Sequence, residues 1–93
     1  MQPSTVIFSP TLNWSFSSHV TGTVKADPTD ISEYNGEWEC KLTITVEGKD
    51  IFCYYLKGTE NQIKNIKAGD TITVSGTIKN FNGTVEFDKP RMQ

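Results

Sequence analysis

The stretch from Gly69 to Asp88, GDTITVSGTIKNFNGTVEFD, constrains the fold of this chain more than any other. It holds two alternating runs. In Thr71–Lys79 the apolar set is Ile72, Val74 and Ile78, with Gly76 in step and Thr or Ser between. In Thr84–Asp88 the set is Val85 and Phe87. Alternation with period two places successive side chains on opposite faces of a strand. Asn80-Phe81-Asn82-Gly83 separates the runs, and Asn and Gly tolerate the positive φ that tight hairpins need. The segment therefore predicts a β-hairpin with one face in a core and the other in solvent.

The same reading extends towards the N-terminus. Val20–Ala26 alternates Val20, Gly22, Val24 and Ala26 against Thr21, Thr23 and Lys25, and reads as the first barrel strand, with Gly22 permitting sharp coiling. Trp14 and Phe16 share one parity just before it, and Val6-Ile7-Phe8 is a candidate short strand or docking segment. Asp27–Glu37 (DPTDISEYNGE) reads as a loop. Trp38–Val46 is the second strand, with Cys40, Leu42, Ile44 and Val46 inward. Glu47–Asp50 is a turn and Ile51–Lys57 the third strand. Gly58–Lys67 holds the only helix-compatible run, over Thr59–Ile66, with Ile63 and Ile66 placed to cover a barrel end. Three strands, a short helix and two more strands is the order of an OB-fold. The prediction is an all-β, five-stranded OB-fold Greek-key barrel with one short helix between strands 3 and 4. The boundaries are a single domain, with residues 1–19 as an N-terminal extension and 20–93 as the barrel.

The facing of the third strand has two solutions. A two-residue turn at Gly48-Lys49 pairs Ile44 with Cys53 and turns Ile51, Cys53 and Tyr55 inward. One extra residue instead turns Phe52, Tyr54 and Leu56 inward and Tyr55 outward, because a one-residue slip flips every side chain. The more apolar inner set favours the second solution. Neither register brings Cys40 opposite Cys53, so both are expected to be buried free thiols.

The 93 residues carry a net charge of −2, which argues against a strongly basic nucleic-acid binder. The charge is uneven. Residues 1–40 hold Lys25 against five carboxylates, whereas residues 41–93 hold eight Lys or Arg against six. One histidine and two cysteines without CxxC spacing build no zinc site of the usual kind, and no cofactor is expected. His19 has no adjacent nucleophile or carboxylate. Glu33, Glu37 and Glu39 lie in or beside a solvated loop that would not raise a pKa for acid–base work. Enzymatic activity is not expected. No positive n-region precedes an apolar run and no apolar stretch approaches about 20 residues, so neither a signal peptide nor a membrane span is expected. The predicted location is cytoplasmic, with secretion as the alternative if the chain is a segment of a longer protein.

Ile51–Gly58 (IFCYYLKG) followed by Ala68–Asp88 resembles the OB-like modules of many bacterial proteins, often secreted, in which a Cys-Tyr-x-Leu-Lys-Gly strand end precedes a Gly-Asp strand and an Asn-Gly hairpin. Cys53, Tyr54, Leu56, Lys57 and Gly58 carry the first part of that likeness. It covers about the C-terminal half, is weaker over Val20–Val46, and does not reach the first twenty residues. More broadly, the chain resembles small phage or bacterial OB proteins that bind single-stranded nucleic acid. The resemblance implies a binding scaffold that uses the second and third strands and two flanking loops. On that scaffold Tyr34, Trp38, Tyr55 and Phe81 are candidate stacking rings, and Lys41, Lys57 and Lys79 candidate phosphate contacts. Single-stranded DNA or RNA is the expected partner. The alternative is a protein-interaction or structural module, secreted or phage-encoded, which the acidic balance favours.

Overall fold

A computed structural model of the chain describes residues 13–93; the Val6-Ile7-Phe8 segment lies outside them. The elements are β1 (Trp14–Val24), β2 (Thr29–Tyr34), β3 (Glu37–Val46), β4 (Lys49–Gly58), α1 (Glu60–Lys64), β5 (Thr71–Phe81) and β6 (Thr84–Met92). Neighbours in the sheet run β1-β5-β6-β4-β3-β2. A short pairing of Thr23 and Val24 with Thr45 and Ile44 joins β1 back to β3 and closes a five-stranded barrel. β4 and β6 are parallel, while the other pairings are antiparallel. The result is all-β, with one short helix between β4 and β5, and is compatible with an OB-like fold.

Alternation builds the interior as the sequence predicts. Val20 and Val24 of β1, Cys40, Leu42 and Ile44 of β3, Val74 and Ile78 of β5, and Val85 and Phe87 of β6 are all buried. Helix α1 lies inside the predicted span. Thr59 is its N-cap, accepting from the Gln62 N–H, while the Gln62 side chain accepts from the Thr59 N–H. This capping box holds so short a helix at its start. Ile63 and Ile66 are buried against the barrel end. At the closure of β1 on β3, a Cβ on Gly22 would stand 2.8 Å from Val46 Cγ2 and 3.0 Å from the Thr45 carbonyl oxygen. Only glycine lets the two backbones approach so closely.

Four sequence-based expectations need correction. β1 starts at Trp14, so residues 14–19 are strand residues paired with β5 and not part of an extension. The predicted loop Asp27–Glu37 contains β2, which hairpins onto β3 with Tyr34 opposite Glu37. All six of its residues are exposed, so no apolar alternation marks it. The β3–β4 turn is Glu47-Gly48, one residue earlier than expected, with Val46 opposite Lys49. The last hairpin turns on Asn82-Gly83 alone, which makes Phe81 a strand residue. Asn35-Gly36, Glu47-Gly48 and Asn82-Gly83 each carry positive φ at both positions, the geometry that matches strand twist in two-residue hairpins.

Each facing proposed for Ile51–Lys57 is correct over half the strand. Ile44 pairs with Ile51 and Leu42 with Cys53, which turns Ile51 and Cys53 inward. Tyr54 and Tyr55 then together oppose Lys41, a β-bulge that flips the parity. Leu56 returns to the core opposite Cys40. Phe52 and Tyr54, expected inside, are therefore outside, with Phe52 half-buried and Tyr54 exposed. Cys40 and Cys53 are buried free thiols, as expected.

Candidate ligand-binding face

The Tyr54-Tyr55 bulge belongs to a line of such features. β2 carries an extra residue between Thr29 and Ser32, and β6 carries one between Asp88 and Arg91. Each bulged segment holds one non-glycine residue in the left-handed region: Asp30 at φ 53°, Tyr55 at φ 61° and Lys89 at φ 55°. Opposite the β6 bulge is Gly76, at φ 154°, where a Cβ would stand 3.0 Å from the Lys89 carbonyl oxygen. The strands thus kink together along one transverse line, and the barrel wall curls there.

This line sets out a cluster of rings on the outer face of β4. Phe52 and Tyr54 stack with centroids 6.0 Å apart and planes 10° from parallel. Tyr55 is 54% exposed, with the Lys41 ammonium 5.2 Å from its ring centroid. A bulky ring at left-handed φ is a conformational outlier costing about 1–2 kcal/mol.

The rings divide two open grooves. The first, of about 540 Å³, is lined by Lys25, Asp27, Thr29, Lys41, Thr43, Phe52 and Tyr54 among others. It has one more cation than carboxylate. The second, of about 450 Å³, is lined by Glu39, Tyr54, Tyr55, Lys57, Glu86, Phe87, Asp88 and Lys89, with one more carboxylate than cation. Tyr54 lines both, so a groove that holds Lys25 and Lys41 and one that holds Glu39, Glu86 and Asp88 share a ring wall.

The predicted site residues separate into groups. Lys41, Tyr55 and Lys57 come together on this face. Lys79 and Phe81 line a different groove with Asn13, Trp14, Ser15 and Asn80, where Phe81 is 62% exposed. Tyr34, 79% exposed, ends β2 beside the Asn35-Gly36 turn. Trp38 is half-buried against the core with the Lys64 ammonium 4.8 Å from its ring centroid. Sequence reasoning missed Phe52 and Tyr54. The adjacent Tyr54-Tyr55 pair in a strand was the available signal, since two large rings in succession fit an outer face best when a bulge turns both outward.

Ion pairing occupies all three predicted phosphate contacts. Lys41 pairs with Asp30 at 3.1 Å, Lys57 with Glu39 at 2.7 Å and Lys79 with Glu86 at 3.9 Å. The hydrogen bond that Lys41 donates to the Asp30 carboxylate, helped by the nearby Tyr55, holds the Lys41 pKa above its ordinary value. Lys25 is held by Asp50 at 2.6 Å, which lowers the Asp50 pKa. Lys25–Asp50 and Lys41–Asp30 are largely exposed, and pairs of that kind are worth little each, whereas Lys57–Glu39 is part-buried. Among the described residues there is no cluster of three or more potential metal ligands, and no helix is long and apolar enough to cross a membrane. No protein-family model, curated protein or solved structure matches the chain.

Proposed function

We propose that this protein binds single-stranded nucleic acid without chemistry, in the Lys25–Lys41 groove beside the ring cluster. The observation that carries the reading is the ring set of half-buried Phe52 and exposed Tyr54 and Tyr55, with Lys41 over the last ring. Every base has a π-face, so stacking on such a set is tolerant of sequence and contributes about 1–3 kcal/mol per base. Lys25 and Lys41 would exchange Asp50 and Asp30 for phosphates, while Glu39, Glu86 and Asp88 disfavour phosphate in the neighbouring groove. The resemblance to OB-like modules supports a binding scaffold of this kind.

A second reading, a protein-interaction module, is favoured by the carboxylate already seated on each of Lys41, Lys57 and Lys79. Titration of a labelled dT oligomer by fluorescence anisotropy at several salt concentrations separates the two. With two lysines engaged, the log–log salt slope is expected near −1.4, from roughly −0.7 per phosphate neutralised on single strands. RNA oligomers tested alongside read the DNA-versus-RNA preference. A folded protein that shows no binding at low salt refutes the nucleic-acid reading and leaves the protein-interaction module.

A further inference from the structure

We propose that the edge of β1 turned away from β5, from Ser15 to Thr21, pairs antiparallel with the same edge of a second copy of this chain. β1 pairs with β5 along one side from Trp14 to Thr23, and among the described residues its other side meets β3 only at Thr23 and Val24. The backbone groups on that side follow from the hydrogen bonds at its end. Val24 donates to Asp70 and accepts from Gly69 on the β5 side, whereas the Lys25 N–H donates to Thr43 on the β3 side. Alternation back along the unbroken register aims the N–H and C=O groups of Ser15, Ser17, His19 and Thr21 away from β5. A row of such groups is a template for another strand.

The two edges of this sheet are built differently. β2 is short, carries Asp30 and Glu33, and is broken by a bulge, all of which are devices that discourage pairing. β1 has eleven residues, no Asp, Glu, Lys or Arg, no proline and no bulge. It is also self-complementary. A two-fold axis at Ser18 sets Ser15 opposite Thr21 and Ser17 opposite His19 of the second copy, forming up to about eight hydrogen bonds between neutral residues. Two chains of net charge −2 meet there without placing like charges face to face. A β1-to-β2 contact would instead press the uncharged edge on the bulged acidic one and leave the assembly open-ended.

Analytical ultracentrifugation of the full chain across a dilution series tests this. The expected result is a reversible dimer of twice the 10.4 kDa chain mass. Ser17→Pro removes a donor that points away from β5, so the barrel keeps its own pairing and the dimer is lost. The S17K/H19K double variant sets lysine opposite lysine twice and is expected to be monomeric with an unchanged melting temperature. A wild-type protein that is monomeric at every concentration overturns the proposal, as does a dimer that survives both variants. Amide exchange at Ser15, Ser17, His19 and Thr21 separates the remaining occupant. Protection that persists in a monomer means the chain's own residues 1–12 cover the edge, which also overturns it.

Discussion

Replacing Tyr55 by asparagine should separate binding from stability. Tyr55 sits at φ 61°, where an L-residue with a bulky ring bears about 1–2 kcal/mol of strain. Asparagine tolerates that conformation, so most of the strain is relieved. Against this stand two losses. The ring is about half exposed, so its burial contributes about 1 kcal/mol, half of the ~1.5–3 of a fully buried large side chain. Its contact with the Lys41 ammonium adds about 0.5–1 kcal/mol at an exposed site. The terms nearly cancel, and Tyr55→Asn should destabilise by less than about 1 kcal/mol, a melting shift under about 4–8 °C. By contrast, Leu56→Ala, next in the chain and fully buried, should cost about 2–5 kcal/mol. Binding should respond in the opposite order. Loss of a stacking ring should weaken a dT oligomer by about 1–3 kcal/mol, roughly 5- to 150-fold. Urea denaturation and anisotropy titration of both variants measure the pair of effects. A Tyr55→Asn protein destabilised by more than about 2 kcal/mol would show that the ring is a packing residue. One that binds the oligomer as the parent does would remove Tyr55 from the site.

Two further expectations concern the barrel itself. Burial raises the Cys40 thiol to about 11 and the Cys53 thiol to about 12, against an ordinary 9.0. The folded state therefore holds protons that the unfolded state releases above pH 9, and stability present below that pH falls as pH rises towards 11–12. The slope is at most about 1.4 kcal/mol per thiol per pH unit, readable by denaturation at pH 8 and 10.5 in the parent and in a Cys40→Ala/Cys53→Ala control. Gly76→Ala should destabilise by about 1–3 kcal/mol, measured by thermal melting, because the added Cβ meets the Lys89 and Asp88 carbonyl oxygens at 3.0 and 3.1 Å from a φ of 154°. An unchanged melting temperature would mean that β5 and β6 can spread at the bulge.

Wherever side chains alternate across a buried face, the sequence was sufficient. Ile72, Val74 and Ile78, or Cys40, Leu42 and Ile44, mark strands because water selects one face of each. β2 escaped detection because neither of its faces is buried, so Thr29–Tyr34 carries no period to read. The bulges escaped for another reason. Glycine usually announces a left-handed residue, but here Asp30, Tyr55 and Lys89 occupy that conformation. Asp tolerates it, but on Tyr55 and Lys89 tertiary pairing imposes it, and no local propensity signals it there. The ring cluster depends on one of these bulges. Lys41 and Tyr55 could thus be named as candidates, while Phe52 and Tyr54 were placed on the wrong side of the wall.

The pairing of β1 with β5 also has a consequence for the order of assembly. Trp14 waits for Asn80 and Thr23 for Thr71, whereas β2, β3 and β4 meet through two-residue turns. The central meander involves only short loop closures and can form in microseconds, but the closing contacts span most of the chain. A topology dominated by such distant pairings folds on the millisecond-to-second scale. On the ribosome, β1 is made before the other barrel strands and stays without its partner until β5 has emerged, which leaves this uncharged strand open to misassociation during synthesis.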